Sequence, residues 1–249
     1  MLLKDKVCVI TGGASARGIG KATAKMMAEH GAYIVIIDLD GEAAKAAAKD
    51  ITKSGFGIGC DVTDPDACRQ AAEQILEWAG CIDVLVNNAG ISQPLKLMDI
   101  DQANYDKVLD VSLRGTLNMS QAVTPSMRAR RSGTIVCIAS ISGQQGGGIF
   151  GGPHYCAAKA GQIGLAKSMA KELAPDGIRV NSIAPSWIDT DIVAGLMTDE
   201  VKERLVASVP LGRGGQVEDV AGVALFLASD LSAYVTGTTI DVNGGSYIR

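Results

Sequence analysis

Thr11-Gly12-Gly13-Ala14-Ser15-Ala16-Arg17-Gly18-Ile19-Gly20 decides the fold. The run follows Val7-Cys8-Val9-Ile10, which reads as a buried strand, and precedes a helical pattern from Lys21 to His30 that Gly31 is placed to stop. Glycines at a strand-to-helix turn allow a tight backbone. They also let N–H groups at the helix N-terminus approach a pyrophosphate. A glycine-rich turn alone is weak, because flexible loops with no ligand are common. This one leaves a strand, opens a helix and lies in a βαβ unit, which makes it a dinucleotide signal. Gly12, Arg17, Gly18, Ile19 and Gly20 are its expected cofactor contacts.

The second strand, Tyr33-Ile34-Val35-Ile36-Ile37, runs into Asp38-Leu39. A carboxylate at that strand end accepts hydrogen bonds from the adenosine ribose hydroxyls and repels a 2′-phosphate, so NAD is expected over NADP. Asp38 could equally be an ordinary turn aspartate ahead of Asp40-Gly41. Arg17 argues for the phosphorylated cofactor, since a basic side chain in the loop can reach a phosphate.

Farther along, strands and helices alternate. Strands are expected at Ile58–Cys60, Val84–Val86, Thr134–Ile138, Ile178–Ile183 and Thr238–Val242. Helices are expected at Glu42–Lys53, Asp66–Ala79, Tyr155–Leu173 and Val217–Ser229, with a long one from Tyr105 to Arg131 that Pro125 bends or divides. Alternating elements with continuous apolar strands argue for an α/β fold: a doubly wound parallel sheet of about seven strands with helices on both faces. No linker interrupts residues 1–249, so one domain is expected. The alternation breaks over Asp191–Pro210, the form of a substrate-binding insert, placed around residues 186–210.

Composition narrows the function. The chain has 249 residues, is 47% hydrophobic and carries a net charge of -4, which argues against nucleic-acid binding. The one basic run, Arg128, Arg130 and Arg131, reads as a solvated helix end. No signal peptide and no membrane-spanning apolar run is expected. Six cysteines without a C-x-x-C pair read as free thiols in a reducing cytoplasm. Two histidines, His30 and His154, argue against a His-rich zinc site.

Tyr155 and Lys159 share a face at the head of a predicted helix. An ammonium beside a phenol favours the ionised form of a group whose ordinary pKa is about 10. Gly12, Asp38, Asp61, Asn88, Ser140 and Pro185 each fall just beyond the C-terminal end of a predicted strand, the edge where open parallel sheets bind ligands.

Taken with Asp61-Val62, Asn87-Asn88-Ala89-Gly90, Ile138-Ala139-Ser140, Asn181-x-x-x-Pro185 and Asn243-Gly244-Gly245, these segments resemble the classical short-chain dehydrogenase/reductase family over essentially the whole chain. The resemblance implies a Rossmann-type fold and a catalytic Asn, Ser, Tyr and Lys. It implies adenine beside Asp61-Val62, and the nicotinamide-side ribose near Asn88, Ala89, Gly90, Tyr155 and Lys159. It also implies a carboxamide contact from the segment Pro185 to Thr190, which includes Ile188, and usually a homotetramer. Three departures stand out. The glycine loop is two residues longer than the family's. Ser186 stands where a glycine usually follows the proline. The catalytic asparagine of the family's Val-Asn-Leu-x-Gly is Ser112 here, in Val111-Ser112-Leu113-Arg114-Gly115.

The expected chemistry is reversible hydride transfer between NAD and a secondary alcohol or ketone. Tyr155 is the acid/base, Lys159 lowers its pKa and holds the ribose, and Ser140 fixes the substrate oxygen. Ser142 is the rival serine; Ser140 is preferred because it sits directly at the strand end. Ser112 replaces an asparagine that, in the family, holds a water relaying the lysine's proton toward solvent. His154 reads as a loop histidine before it reads as a substrate contact. Residues 93–98, 144–154 and 186–210 are expected to shape a partly apolar substrate pocket. The main alternative is a 3-oxoacyl-thioester reductase, commonly NADPH-dependent; a non-catalytic NAD sensor is the other. A Ser hydrolase is excluded by the lack of a G-x-S-x-G elbow.

Overall fold

In a computed structural model of the protein, residues 1–191 and 198–248 are described. Seven parallel strands form one sheet in the order β3-β2-β1-β4-β5-β6-β7. They are β1 (Val7–Thr11), β2 (Tyr33–Asp38), β3 (Phe56–Gly59), β4 (Val84–Asn87), β5 (Gly133–Ile138), β6 (Ile178–Pro185) and β7 (Thr239–Val242). The order reverses between β1 and β4, which pair in register from Cys8 with Val84 to Ile10 with Val86. That reversal opens a crevice at the C-terminal strand ends. The doubly wound Rossmann-type architecture expected from the alternation is the one observed.

Strand side chains alternate between the faces, and each face has its own helices. Val9, Val35, Leu85 and Ile135 pack with Ile75, Met119, Val123 and Met169 from α3 (Pro65–Ala79), α5 (Gly115–Arg130) and α7 (Pro153–Leu173). Ile10, Ile34, Val86 and Val136 pack on the other side. There they meet α1 (Ile19–Glu29), α2 (Gly41–Ile51) and α9 (Val217–Ala228) through Met27, Ala48 and Leu227. Helix starts follow side-chain chemistry. Asp40 caps α2 by accepting from the Glu42 and Ala43 N–H groups, at 3.0 and 3.1 Å. Asp64 caps α3 one residue before Pro65, so the helix begins ahead of the expected Asp66.

The region from Tyr105 to Arg131 departs most from expectation. α5 runs through Pro125 without a break. Pro125 lies on the exposed side with Gln121, the residue one turn before it, so the carbonyl freed by the missing N–H reaches water. The irregularity lies earlier. α4 (Gln102–Leu109) passes into a π-helical turn over Asp110–Arg114 before α5 begins. Ser112 sits in that turn, fully buried.

The basic run at the end of α5 is exposed, as expected of a solvated helix end, and its guanidinium groups are also paired. Arg128 Nε donates to Asp176 at 2.7 Å, Arg130 donates to the buried Asp83 at 2.8 Å, and Arg131 donates to the Pro175 carbonyl. Two short helices complete the chain, α6 (Ser142–Gln145) and α8 (Asp199–Ala207). Part of the expected 186–210 insert, residues 192–197, lies outside the described residues. No helix among the described residues is long and apolar enough to cross a membrane.

Candidate active site

The crevice is built from the strand ends upward. Gly12 follows β1 with φ +64°, and a Cβ there would lie 2.9 Å from the Ala89 Cα, so the turn closes onto the segment after β4 only as glycine. Thr11 and Asn88 lock the two together. Thr11 Oγ1 accepts the Asn88 and Ala89 N–H groups, both at 3.0 Å. The Asn88 side-chain amide donates to the Thr11 and Gly12 carbonyls at 2.9 and 2.8 Å. Asn88 thus reaches the glycine turn itself, whereas the resemblance placed it at a ribose.

Asp38 ends β2, and its Oδ2 accepts the Ala14 N–H at 3.0 Å. The strand-end carboxylate is therefore tied to the glycine loop. Leu39 beside it is largely exposed at the rim. Arg17 is not turned to the crevice as a free cation. Its guanidinium donates to Asp189 at 2.7 Å, while Asp191 accepts the Ser15 hydroxyl at 2.9 Å and the Arg17 N–H at 3.2 Å. The Ser15 and Arg17 hydrogen bonds hold the Asp191 carboxyl below the usual carboxylate range. The lengthened loop is thus tied to Asp189 and Asp191.

Asp61 folds back on its own turn, accepting the Thr63 N–H and hydroxyl at 2.9 and 2.8 Å. The Val62 carbonyl accepts from the Asn118 amide of α5 at 2.9 Å. Sequence reading missed Asn118, because a polar residue inside a helix has no motif of its own; Thr11 opens the glycine motif, but its hydroxyl's bonds to Asn88 and Ala89 were not foreseen.

Ser140, Tyr155 and Lys159 converge on a cavity of about 290 Å³ that Ile19, Asn88, Gly90, Pro185, Ile188 and Thr190 also line. The Ser140 hydroxyl lies beside the Tyr155 phenol and favours its ionised form. It also accepts the Ser142 N–H at 3.1 Å. Of the two rival serines, Ser140 is the one beside the tyrosine, and Ser142 supports it through its backbone. His154 is buried away from this lining and pairs with Gln93 at 3.0 Å.

The pKa directions differ from the sequence expectation. Burial pushes the Tyr155 phenol above its ordinary value, and the Ser140 hydroxyl offsets only part of that. Burial also pushes Lys159 down to about 8. The reason is where the ammonium points. Lys159 Nζ donates to the Ile138 carbonyl at 2.7 Å and to Gln162 Oε1 at 3.1 Å, and it lies 5.9 Å from the Tyr155 ring centroid. The protein's own lysine therefore does not outweigh the desolvation of the phenol.

Ser112 Oγ is buried without a hydrogen-bond partner among the described residues. A Cβ on Gly90 would sit 3.4 Å from both that oxygen and Lys159 Nζ, so Gly90 leaves the space between them open.

These features fit a nicotinamide dinucleotide. A turn that only glycine can make lies at the head of a helix, a carboxylate ends the second strand, and a lined cavity contains a phenol and a lysine. Comparisons with known proteins agree. The family model described as enoyl-(acyl carrier protein) reductase matches residues 12–247. An uncharacterized short-chain type dehydrogenase/reductase of Sinorhizobium fredii, y4mP, is 50% identical over 100% of both chains. The 3-oxoacyl-[acyl-carrier-protein] reductase FabG of Thermotoga maritima is 41% identical, also over 100% of both. Among solved structures, a short-chain type dehydrogenase/reductase from Mycobacterium marinum superposes with a TM-score of 0.92 at 35% identity, covering 99% of this chain and 97% of its own. The chain belongs to the short-chain dehydrogenase/reductase family, and it is a nicotinamide-dependent oxidoreductase acting on CH–OH or ketone groups.

Proposed function

We propose that the protein transfers hydride between NAD and an uncharged secondary alcohol or ketone, with Tyr155 as acid/base. The observation that carries this reading is the convergence of Ser140, Tyr155 and the buried Lys159 on one cavity at the strand ends. The nicotinamide supplies or accepts the hydride. Ser140 orients the substrate oxygen, and Tyr155 takes its proton during oxidation and returns it during reduction. Lys159 anchors the site from below and, by the family resemblance, holds the nicotinamide-side ribose. The phosphates fall to Gly12, Gly18, Ile19 and Gly20, the adenine to Asp61 and Val62, and the carboxamide to Pro185, Ile188 and Thr190.

The substrate side of the cavity is lined by Ile91, Ile141, Ile149, Phe150, Trp187 and Val209, and Lys159 is the charged residue of the lining among the described residues. Such a lining suits an apolar molecule with one reacting oxygen and no carboxylate. A 3-oxoacyl-thioester reductase is the second reading, favoured by the whole-length similarity to FabG. A panel of secondary alcohols, ketones and acyl thioesters, assayed with each cofactor, separates the two. Thioester reduction dominating with NADPH overturns the first.

NAD is supported by the Asp38 carboxylate at the end of β2. Asp38→Ala is expected to lower the preference for NAD over NADP by about tenfold or more, the order of one lost charge repulsion. An unchanged ratio of kcat/KM for the two cofactors sinks the ribose argument.

The same reading includes a homotetramer, to which the exposed Leu117 of α5 and Leu231 and Tyr234 near β7 offer apolar contact surface; a monomeric mass in sedimentation equilibrium refutes it. Six free thiols, four of them buried, suit a reducing cytoplasm.

A further inference from the structure

Gln162 is a fully buried amide on α7, three residues after Lys159. Burial of an amide is costly unless its polar atoms are matched. Here both ends are. Its Oε1 accepts from Lys159 Nζ at 3.1 Å, and its Nε2 donates to Thr116 Oγ1 at 2.8 Å. Thr116 in turn donates to the Ser112 carbonyl at 2.8 Å. The four residues form one directed chain from the lysine to the π-helical turn.

Ser112 explains why the chain is there. It holds the position where the family resemblance expects the asparagine, and its side chain reaches no partner among the described residues. Besides the Ile138 carbonyl at 2.7 Å, the lysine has a side-chain acceptor, Gln162, one turn farther along its own helix. We propose that Gln162 is the positioning residue for Lys159, fixing the ammonium through an acceptor that the Ser112 side chain does not provide; this rests on the assignment of Lys159 to the catalytic site.

The direction of the hydrogen bonds decides what the chain does. Lys159 donates to Gln162, Gln162 donates to Thr116, and Thr116 donates to a carbonyl. An amide that accepts at one end and donates at the other through different atoms passes no proton without tautomerising. The chain is thus an anchor for the ammonium, distinct from a proton route to solvent. Thr116, 2% exposed, is its fixed end. The π turn matters because it sets the Ser112 carbonyl and the Thr116 hydroxyl at one junction of α4 and α5.

Gln162→Met keeps the length and removes both polar ends. Its test uses the full-length protein with ¹³C-labelled lysine, reading the Lys159 Cε titration without cofactor and kcat with it. Loss of one acceptor from a buried ammonium is expected to lower the Lys159 pKa by about one to two units, that is, tenfold to hundredfold in its ionisation. A fall in kcat of about tenfold or more accompanies it. Gln162→Glu is expected to move the lysine titration the other way. Combining Gln162→Met with Ser112→Asn is expected to restore at least half of the lost kcat on a logarithmic scale. An unshifted lysine titration in Gln162→Met overturns the proposal, as does a loss of kcat that Ser112→Asn fails to relieve, which marks Gln162 as packing alone. If Gln162→Met does not fold, Thr116→Val cuts the far anchor and is expected to shift the lysine in the same direction by a smaller amount; no shift overturns it. The titration is read without turnover, so an active Tyr155→Phe would defeat the assigned base and leave the Gln162 result standing.

Discussion

Tyr155→Phe is expected to lower kcat by roughly 10²- to 10⁴-fold, the range for loss of a positioned acid/base. Cofactor affinity, read by NADH fluorescence, is expected to stay within about twofold. The substitution removes one oxygen and leaves the ring that packs against Gly151. Ser140 loses its phenol neighbour but keeps the Ser142 N–H, so the loop after β5 stays in place. A variant that keeps near wild-type kcat shows that another group moves the proton. A variant that loses cofactor binding in parallel shows that the phenol is structural. Only the split between kcat and binding supports the assigned role.

The second large effect is on Lys159. Lys159→Met is expected to reduce kcat by about 10²-fold or more, because among the described residues the ammonium is the one cation lining the cavity. It also leaves a signature in stability. Lys159 sits at about 8 in the folded protein, against an ordinary lysine value of about 10.4. Between those two values the unfolded chain still holds a proton that the folded chain has released. Unfolding then takes up protons, so this group makes folding more favourable as pH rises through that window. The full gain is about 3 kcal/mol. Urea unfolding of both proteins near pH 7 and near pH 10 reads it as a double difference. The stability of wild type minus that of Lys159→Met is expected to grow with pH. A buried thiol such as Cys8, whose titration is pushed up by burial and does not depend on Lys159, opposes this in both proteins and cancels. A difference that is flat with pH means that the lysine titrates normally.

The sheet and its edge were legible because they depend on local rules. Continuous apolar strands and the glycine turn place Gly12, Asp38, Asn88, Ser140 and Pro185 along one rim whatever the loops do. The preference for Ser140 over Ser142 rests on the end of β5, where Ser140 lines the cavity with Tyr155. Other features depend on where side chains meet across the fold. Pro125 reads as a breaker, yet its outward face makes it harmless. Arg17 reads as a phosphate ligand, and its pairing with Asp189 and Asp191, 172 and 174 residues away, could not be read locally. The lysine's effect on the phenol was expected from their shared helix face together with the glycine turn and the serine cluster. It is reversed by desolvation, which is a property of everything packed around the pair. Gln162 did leave a trace in the sequence, as the lone polar side chain between Lys159 and Lys167 on α7. Only Ser112, fifty residues earlier, gives it a meaning.

The bond between Asp38 and the Ala14 N–H turns cofactor re-engineering into a two-variable design problem. A redesign for the phosphorylated dinucleotide that deletes the carboxylate also unties the glycine loop proposed to hold the pyrophosphate, so both cofactors are expected to lose affinity together. Asp38→Asn separates the variables: it discards the charge and keeps an oxygen for Ala14. A library built on Asp38→Asn, with cations introduced at the exposed Leu39, is therefore a sounder starting point for directed evolution than one built on Asp38→Ala.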